Sequence, residues 1–333
     1  MKKAAIIGLG VIAPIHLAAI QANPNITLCA VCDLKPELSS LAPQGVPFYT
    51  DYKELCEKER PDCVHICLPH YLHVPVSMYF ARQGVHVFCE KPVALNTAQA
   101  MEFVEFEKDH PEVKIGICLQ NRLNETTEML KELVASGEYG KVLGCHGFVP
   151  WNRPGSYYEA APWRGIMEFA GGGSMINQAV HTFDLLYYIC GEITSVHGAA
   201  LQLSDLGLEV EDTVAARLEF ASGAKGLFFS TNCDYENNSI QIRVKPEKAV
   251  FQIEDDRLYQ LLPDGERKIL CENSRMPGEK FYFGASHGKL INRFYDAIET
   301  DGDNYIHVKD ALMSIRLIDA VLKSSASGQS VAP

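Results

Sequence analysis

Two short segments of the sequence carry side chains that could move a proton. Glu90-Lys91-Pro92 follows an apolar run typical of a buried strand, and a lysine there could stabilise a negatively charged oxygen. Asn177, His181 and Asp184 are four and three residues apart, so a single helix would present them on one face. Histidine is the usual proton acceptor near neutral pH. These residues predict acid–base chemistry; a surface lysine and a core histidine are the ordinary alternatives.

A segment between them is rich in aromatic residues and arginine. Its members are Trp151, Arg153, Tyr157, Tyr158, Trp163 and Arg164. Aromatic faces and guanidinium groups suit sugars, carboxylates and phosphates. We expect Arg153 and Tyr157, together with Arg122, to bind a substrate, against the alternative of a structural loop that covers a sheet.

Metal binding is not expected. His181 and Asp184 have no obvious third ligand, and the pair Cys29-x-x-Cys32 has no second pair nearby.

A glycine turn near the N-terminus predicts a dinucleotide site. An apolar run leads into Gly8-Leu9-Gly10-Val11-Ile12-Ala13, which has the spacing GxGxxA. Gly8 permits the tight turn, Gly10 lets a pyrophosphate approach the backbone, and Ala13 allows close packing of helix on strand. The amides that open the following helix would then face the phosphates.

An acidic residue follows at the distance that a nucleotide site requires. Asp33 ends an apolar run, Ile26 to Val31, and lies 23 residues beyond Gly10. A carboxylate there accepts hydrogen bonds from the adenosine ribose and repels a 2′-phosphate. The sequence therefore predicts NAD in preference to NADP, although Lys35 could partner a phosphate.

The elements that must position these residues alternate regularly between strand and helix as far as residue 120. We predict a doubly wound parallel sheet, with a dinucleotide-binding domain at 1–120. Ligands of such sheets bind beyond the carboxyl ends of the strands, where Asp33, Pro69 and Lys91 fall. The predicted strands after the first are Ile26 to Val31, Val64 to Leu68, Val85 to Cys89 and Val113 to Leu119; the predicted helices include Tyr52 to Lys58, His73 to Arg82 and Thr97 to Lys108.

Residues 121–333 read as an α+β domain with a large, mostly antiparallel open sheet, for binding substrate and forming oligomers. A triple glycine at 171–173 precedes one helix that runs to about Ile189, and its glycines would let the backbone approach a ligand. The terminal helix could pack back on the first domain. The predicted elements are helices Glu125 to Ala135, Lys289 to Ile298 and Val308 to Lys323, and strands Val142 to Val149, Ile193 to Leu201, Val214 to Phe220, Lys225 to Ser230, Ser239 to Val244, Ala249 to Ile253 and Leu258 to Leu262.

Composition narrows the choice of partners. A net charge of -12 disfavours nucleic acid, and no apolar run approaches the roughly 20 residues of a membrane span. The N-terminus enters a strand directly, without a signal peptide, and the eleven cysteines fall mostly in apolar stretches. We therefore expect a cytoplasmic protein without nucleic-acid or membrane partners.

The motifs together resemble those of the glucose–fructose oxidoreductase, inositol dehydrogenase and MocA-type family of nicotinamide-dependent oxidoreductases. In family order they are Gly8-Leu9-Gly10 with His16, Pro69 with His73, Glu90-Lys91-Pro92, Trp163-Arg164-Gly165, the stretch 171–184, and Ala285-Ser286-His287. The Trp-Arg-Gly and Asn-Gln-x-x-His forms are most similar to the branch that acts on sugars, including nucleotide sugars.

The resemblance implies a Rossmann domain that binds NAD(P) and a second domain whose sheet forms homodimers or homotetramers. It implies Lys91 as catalytic lysine and His181 as acid/base, with Asn177 orienting the substrate where the family often has Asp. The expected cofactor-binding residues are Gly8, Leu9, Gly10, Val11, Ile12, Asp33, Leu68, Pro69, His73, Glu90, Lys91, Trp163 and Arg164.

We therefore predict transfer of a hydride between NAD and a hydroxyl carbon of a sugar, a sugar derivative such as a nucleotide sugar, or a polyol. The sequence leaves two alternatives open. One is a regulator that binds NAD without catalysis, and the other is a redox-neutral sugar enzyme that keeps its NAD bound.

Overall fold

The computed structural model describes residues 1–274 and 286–333. The described residues divide into two compact units. The first comprises 1–94, 98–120 and 286–311, and the second comprises 95–97, 121–274 and 312–333. Ala285 of the terminal motif lies outside the described residues.

A parallel sheet of six strands forms the centre of the first unit, as predicted. The strands are β1 (Lys2–Ile7), β2 (Ile26–Cys32), β3 (Phe48–Tyr49), β4 (Cys63–Ile66), β5 (His86–Glu90) and β6 (Ile115–Cys118). Their order is β3-β2-β1-β4-β5-β6, so the chain reverses direction across the sheet between β1 and β4. This switch point is where doubly wound sheets bind their ligands. The two-residue strand β3 is too short to leave a pattern in the sequence.

Helices surround this sheet at close to the predicted positions. They are α1 (Ala13–Ala22), α2 (Tyr52–Glu59), α3 (His73–Arg82), α4 (Thr97–Asp109) and α10 (Ser286–Thr300). Asp51 caps α2 by accepting a hydrogen bond from the amide of Lys53 at 2.8 Å. Gly84, with φ of +76°, stands just past the end of α3.

The second unit contains a sheet of eight strands, mostly antiparallel as predicted. The strands are β7 (Val142–Pro150), β8 (Ile193–Leu201), β9 (Thr213–Phe220), β10 (Lys225–Thr231), β11 (Gln241–Pro246), β12 (Phe251–Glu254), β13 (Arg257–Leu261) and β14 (Arg267–Glu272). Their order is β14-β13-β12-β11-β7-β10-β9-β8, and β7 and β10 run parallel. The edge strand β14 is half exposed and carries little apolar pattern, so the sequence did not predict it.

The helices of the second unit correct one prediction. They are α5 (Glu125–Ala135), α6 (Gly155–Glu159), α7 (Met167–Ala170), α8 (Ser174–Asn177), α9 (Val180–Cys190) and the larger part of α11 (Val308–Ser327). The single helix expected after the triple glycine is two helices, because α8 ends at Asn177 and α9 begins at Val180. Asn177 and His181 therefore do not share one continuous helix face.

The triple glycine allows backbone segments of the protein to meet. A Cβ atom on Gly173 would lie 1.7 Å from the carbonyl oxygen of Glu211, and one on Gly171 would lie 2.6 Å from that of Leu95. The sequence suggested that these glycines let the backbone approach a ligand. In the structure, close contact with neighbouring backbone explains why Gly171 and Gly173 are glycines. In the described part of the chain, no helix has the length and apolarity needed to cross a lipid bilayer.

Candidate active site

The glycine turn after β1 has the geometry of a nucleotide site. Gly8 has φ of +96°, and a Cβ there would lie 2.5 Å from the carbonyl oxygen of Cys67, so only glycine fits. A Cβ on Gly10 would meet nothing within 4 Å, and Val11 beside it is 62% exposed. The turn therefore leaves open space on the side where a pyrophosphate would lie against the start of α1.

Asp33 lies directly after β2 and holds this turn in place. One carboxylate oxygen accepts a hydrogen bond from the amide of Leu9 at 2.8 Å, and the other accepts from the amide of Lys35 at 3.0 Å. The partly exposed Asp33 carboxylate thus lies beside the glycine turn, where it can also accept from a ribose hydroxyl. The residues present fit NAD.

His73 connects the segments that follow β4 and β5. Its Nδ1 lies 2.8 Å from the carbonyl oxygen of Pro92, and its Nε2 lies 2.8 Å from that of Leu68. The ring is buried, and burial lowers the pKa of His73 while the two carbonyl acceptors act in the opposite direction. Because backbone groups engage both nitrogens, this geometry favours a positioning role for His73 over the expected contact with cofactor. Leu68 and Pro69 are partly exposed at the end of this segment.

A buried carboxylate immediately precedes the expected catalytic lysine. Glu90 Oε1 accepts a hydrogen bond from Nε2 of His16 at 2.8 Å and lies 3.7 Å from Nε2 of His287. Burial alone would raise the pKa of Glu90, but the hydrogen bond and the charge of His16 outweigh burial and lower it. Glu90 is therefore an ionised anchor at the end of β5, and the partly exposed Lys91 follows it.

The same hydrogen-bonded chain extends away from Glu90. Nδ1 of His16 lies 2.8 Å from Nδ1 of His65, and Nε2 of His65 lies 3.0 Å from the hydroxyl of Tyr295. Burial lowers the pKa of His65 well below its usual value and raises that of Tyr295, so both side chains are uncharged. Donation from Tyr295 to His65, from His65 to His16 and from His16 to Glu90 would give every hydrogen bond in this chain one donor and one acceptor.

The ligand atoms of His16, Glu90 and Cys118 lie within 4.8 Å of one another, as metal ligands would. Burial and the nearby charge of Glu90 raise the pKa of the Cys118 thiol well above its usual value, which opposes the thiolate that a metal requires. In this arrangement His16 points an N–H at Glu90 and its other ring nitrogen accepts from His65, so neither ring nitrogen offers a lone pair to a metal. Chemistry at this cluster thus favours a hydrogen-bonded pair.

In the second unit, Tyr157 of the segment rich in aromatic residues and arginine contacts the end of α8 and the residue after it. The Tyr157 hydroxyl accepts hydrogen bonds from the side-chain amides of Asn177, at 2.9 Å, and Gln178, at 3.0 Å. Asn232 donates to Oε1 of Gln178 at 3.3 Å and to the hydroxyl of Tyr158 at 3.1 Å. This network fixes the orientation of Tyr157 and Asn177. Its members Gln178 and Asn232 were not predicted, because amides carry no pattern until the fold brings them together.

Asn177, His181 and Asp184, which were predicted to share a helix face, lie in different surroundings. His181 lies in the first turn of α9 and is partly exposed, whereas Asp184 is 1% exposed. Arg122 donates to both oxygens of Asp184, at 2.8 and 2.5 Å, and is itself 9% exposed. This buried bidentate pair favours a structural role for Arg122, in place of the expected contact with substrate.

A buried carboxylate that the sequence did not single out closes the triple-glycine turn. Glu211 accepts hydrogen bonds from the amide of Gly173 at 2.7 Å and from that of Met175 at 2.9 Å. Burial raises the pKa of Glu211 to about 7, although the hydrogen bonds from the two amides favour the carboxylate and lower the pKa. Glu211 thereby fixes the start of α8, which ends at Asn177.

Comparisons with known proteins agree with the fold and with the nucleotide site. Residues 2–115 match the oxidoreductase family with an NAD-binding Rossmann fold, and residues 127–252 match the GFO/IDH/MocA C-terminal domain. The chain is therefore an NAD-dependent oxidoreductase. It belongs to the Gfo/Idh/MocA family, which confirms the predicted resemblance.

Individual relatives span much or all of the chain. Myo-inositol 2-dehydrogenase of Thermotoga maritima is 30% identical over 231 residues, which are 67% of this chain and 66% of that protein. Levoglucosan dehydrogenase of Pseudarthrobacter phenanthrenivorans is 23% identical over 339 residues, covering 89% and 87%. The crystal structure of the WlbA dehydrogenase from Bordetella pertussis, in complex with NADH and UDP-GlcNAcA, has a TM-score of 0.87 at 26% identity and covers 99% of this chain and 98% of that one.

The position of Asp33 predicts the choice of cofactor. A 2′-phosphate would bring a second negative charge against this carboxylate, so NADPH should bind at least about tenfold more weakly than NADH, or about 1.4 kcal/mol. Asp33→Ser should reduce this ratio, whereas Asp51→Ser, which removes a carboxylate that caps α2, should leave it unchanged. Fluorescence titration of both reduced cofactors measures the ratio, and equal or tighter binding of NADPH to the unaltered protein would contradict the role of Asp33.

The buried histidine chain predicts how stability depends on pH. The pKa of His65 is lower in the folded protein than the roughly 6.5 of an unfolded chain, so below that pH the unfolded state binds more protons. The free energy of unfolding should therefore fall as the pH drops from 7 to 5, before the contribution of Glu90 is lost below its ordinary pKa of 4.5. Urea unfolding at several pH values measures this slope. His65→Gln should make it shallower and the exposed His197→Gln should not; an unchanged slope in His65→Gln would show that the assignment is wrong.

Proposed function

We propose that the protein oxidises a CH–OH group of a sugar, sugar derivative or polyol, and that Lys91 and His181 carry the proton chemistry. Bound NAD+ supplies the acceptor for the hydride that leaves the hydroxyl carbon. The hydroxyl oxygen gives up its proton, and a carbonyl group forms. Myo-inositol, levoglucosan and UDP-GlcNAcA, which are named for the relatives above, support a sugar-like substrate. The reverse reduction uses the same groups.

Lys91 is proposed to stabilise the negative charge that develops on the substrate oxygen. The observation that carries this role is the fixing of Glu90 at the end of β5 by His16 at 2.8 Å, because it fixes the backbone from which Lys91 extends. An ammonium group held in advance needs little reorganisation when charge develops on the oxygen.

His181 is proposed to accept the hydroxyl proton, with Asn177 orienting the substrate. The hydrogen bond from Asn177 to Tyr157 fixes the amide close before α9, in whose first turn His181 stands. An amide cannot exchange a proton as a carboxylate does, so of these two residues only the imidazole can act as the base.

Variants of His181 test the proton transfer. If the imidazole takes the proton, the rate of oxidation should rise with pH through one apparent pKa, and His181→Ala should remove that limb and lower kcat by about 10²–10⁴-fold. The exposed His197→Ala is the matched control. Asn177→Asp should keep most of the activity and Asn177→Leu should not, because leucine leaves substrate polar groups unpaired. Retention of both rate and pH limb in His181→Ala would exclude histidine as the base.

The open face of the eight-strand sheet supports a homo-oligomer, most simply a homodimer or homotetramer. Leu227 on β10 and Leu201 on β8 are each 47% exposed, and strand alternation places them on the same face as Phe148 of β7 and Phe229 of β10. Phe148 and Phe229 on the same strands are partly exposed and contact each other edge to face at 6.3 Å between ring centres. Exposed apolar side chains on adjoining strands favour burial against a second copy. Sedimentation equilibrium at micromolar concentration should show a dimer or larger species, and a monomer would contradict this proposal.

A cytoplasmic location is proposed from the state of the thiols. All eleven cysteines are free, and eight of them are buried. Unpaired buried thiols suit a reducing compartment. Cell fractionation would contradict the proposal if it found the protein outside the cytoplasm.

A further inference from the structure

Two arginines of the second unit stack on one tyrosine ring. The guanidinium carbon of Arg164 lies 4.2 Å from the ring centre of Tyr157, and that of Arg153 lies 5.3 Å from the same centre. Arg153 also stacks on Trp151 at 4.7 Å, and Arg164 lies 5.6 Å from the ring of Trp163. These cation–π contacts hold both guanidinium groups close to the ring, and we call these two arginines with Tyr157 the arginine–tyrosine cluster.

The charges of this cluster are not neutralised within the described part of the chain. Neither guanidinium lies within 4.0 Å of a carboxylate among residues 1–274 and 286–333, in contrast to Arg122 with Asp184. Arg153 donates from Nη1 to the backbone oxygen of Asn152 and to Oδ1 of Asn237, both at 2.7 Å. Arg164 donates from Nη1 to the backbone oxygen of Tyr157 at 3.2 Å.

Further donors of the arginines are therefore available to a ligand. A guanidinium carries five N–H groups, and the hydrogen bonds above use only Nη1 of each arginine. Both arginines are half buried, in a protein whose net charge is -12, and a partly desolvated positive charge is unfavourable unless an anion compensates it.

The hydroxyl of Tyr157 adds a donor of fixed direction. Its oxygen accepts from both Asn177 and Gln178, so its two lone pairs are used and its own proton is left for a third partner. Gln178 cannot rotate to offer its oxygen instead, because that oxygen accepts from Asn232. The cluster thus combines N–H and O–H donors with positive charge, which is the chemistry that binds a carboxylate or a phosphate.

Hydrogen bonds within the second unit place the cluster beside Asn177. The amide of Arg153 donates to the carbonyl of Asn232 at 2.8 Å, just beyond the ends of the parallel strands β7 and β10. Tyr157 contacts Asn177 directly. A group bound at the cluster would therefore lie near the end of α8, where Asn177 is proposed to orient the substrate.

We propose that Arg153 and Tyr157 form a subsite for an anionic group of the substrate, so that the substrate is an acidic sugar bearing a carboxylate or phosphate. Arg164, on the same tyrosine ring, is the arginine expected to bind the cofactor. This inference rests on the proposed function, since it assigns the substrate class of the same site. Neutral inositols and neutral sugars would leave Arg153 without a counter-ion.

Matched sugars test the subsite by binding, independently of turnover. D-glucuronate and D-glucose 6-phosphate each add one anionic group to D-glucose, and calorimetric titration of the NADH-loaded protein gives the dissociation constants. At least one acidic sugar should bind at least tenfold more tightly than glucose, and which one does so tells carboxylate from phosphate. The preference should shrink as salt is added.

Variants separate the subsite from a structural role of the cluster. Arg153→Gln and Tyr157→Phe should each lower the ratio of acidic to neutral affinity at least fivefold, and Arg153→Lys should restore part of it. Arg243→Gln is the matched control, because Arg243 is a half-buried arginine of the same unit that donates to the neutral Gln252 at 2.7 Å. Its ratio should not change.

Three results would overturn the proposal. They are equal affinities for acidic sugars and glucose, failure of both acidic sugars to bind at about 10 mM, and an Arg153→Gln variant that loses affinity for NADH as strongly as it loses affinity for the acidic sugar. The last result would assign the cluster to the cofactor. If an acidic sugar binds through Arg153 but no sugar yields NADH, the subsite stands and the proposed oxidation fails.

Discussion

The hydrogen bond between His16 and the buried carboxylate of Glu90 is the constraint on which the nucleotide-binding unit depends. It joins α1, which begins at the glycine turn, to the end of β5, which carries Lys91. A carboxylate with no access to water is costly unless it is paired, and removing one partner of such a pair costs about 3–5 kcal/mol. Because Glu90 must remain paired, the turn and the lysine cannot shift independently. The buried end of β5 thus fixes the position of Lys91, which is proposed to stabilise the charge on the substrate oxygen.

In the second unit, side-chain hydrogen bonds hold both ends of the short helix α8. Tyr157 receives two amide hydrogen bonds, and these hold the end of α8 against the arginine-rich loop. Glu211 fixes the other end of that short helix through two backbone amides. Asn177 is therefore held from both sides, which suits a residue proposed to orient a substrate and not to exchange its proton.

Much of the fold could be predicted because its signals are local. The glycine turn, the apolar strands of the parallel sheet and the helix from His73 to Arg82 all follow from patterns within about a dozen residues. The break between α8 and α9 could not be predicted in this way. It depends on Glu211 and on a backbone contact at Gly173, about 40 residues apart in sequence, which a periodicity argument does not register.

In the candidate site, too, local features could be predicted and long-range contacts could not. Asp33 was predicted from its distance to the glycines, and the structure places its carboxylate against the amide of Leu9. Arg122 and His73 were expected to touch ligands, but long-range partners engage them: a buried carboxylate for Arg122 and two backbone carbonyls for His73. Residue type and spacing identify groups capable of chemistry, whereas the tertiary partners decide which of them remain available for it.

The central claim is net oxidation of a hydroxyl carbon by NAD+, and one measurement tests it most directly. The protein is mixed with NAD+ and a panel of inositols, sugars, sugar acids and nucleotide sugars. Absorbance at 340 nm is recorded, and the masses of the products are determined by mass spectrometry. The account predicts NADH formation with at least one member, matched one to one by a product that is two hydrogen atoms lighter. Conversion of a sugar without net NADH would instead show a redox-neutral reaction with retained cofactor, and an unreacted panel in the presence of bound NAD+ would contradict an oxidoreductase of sugars altogether.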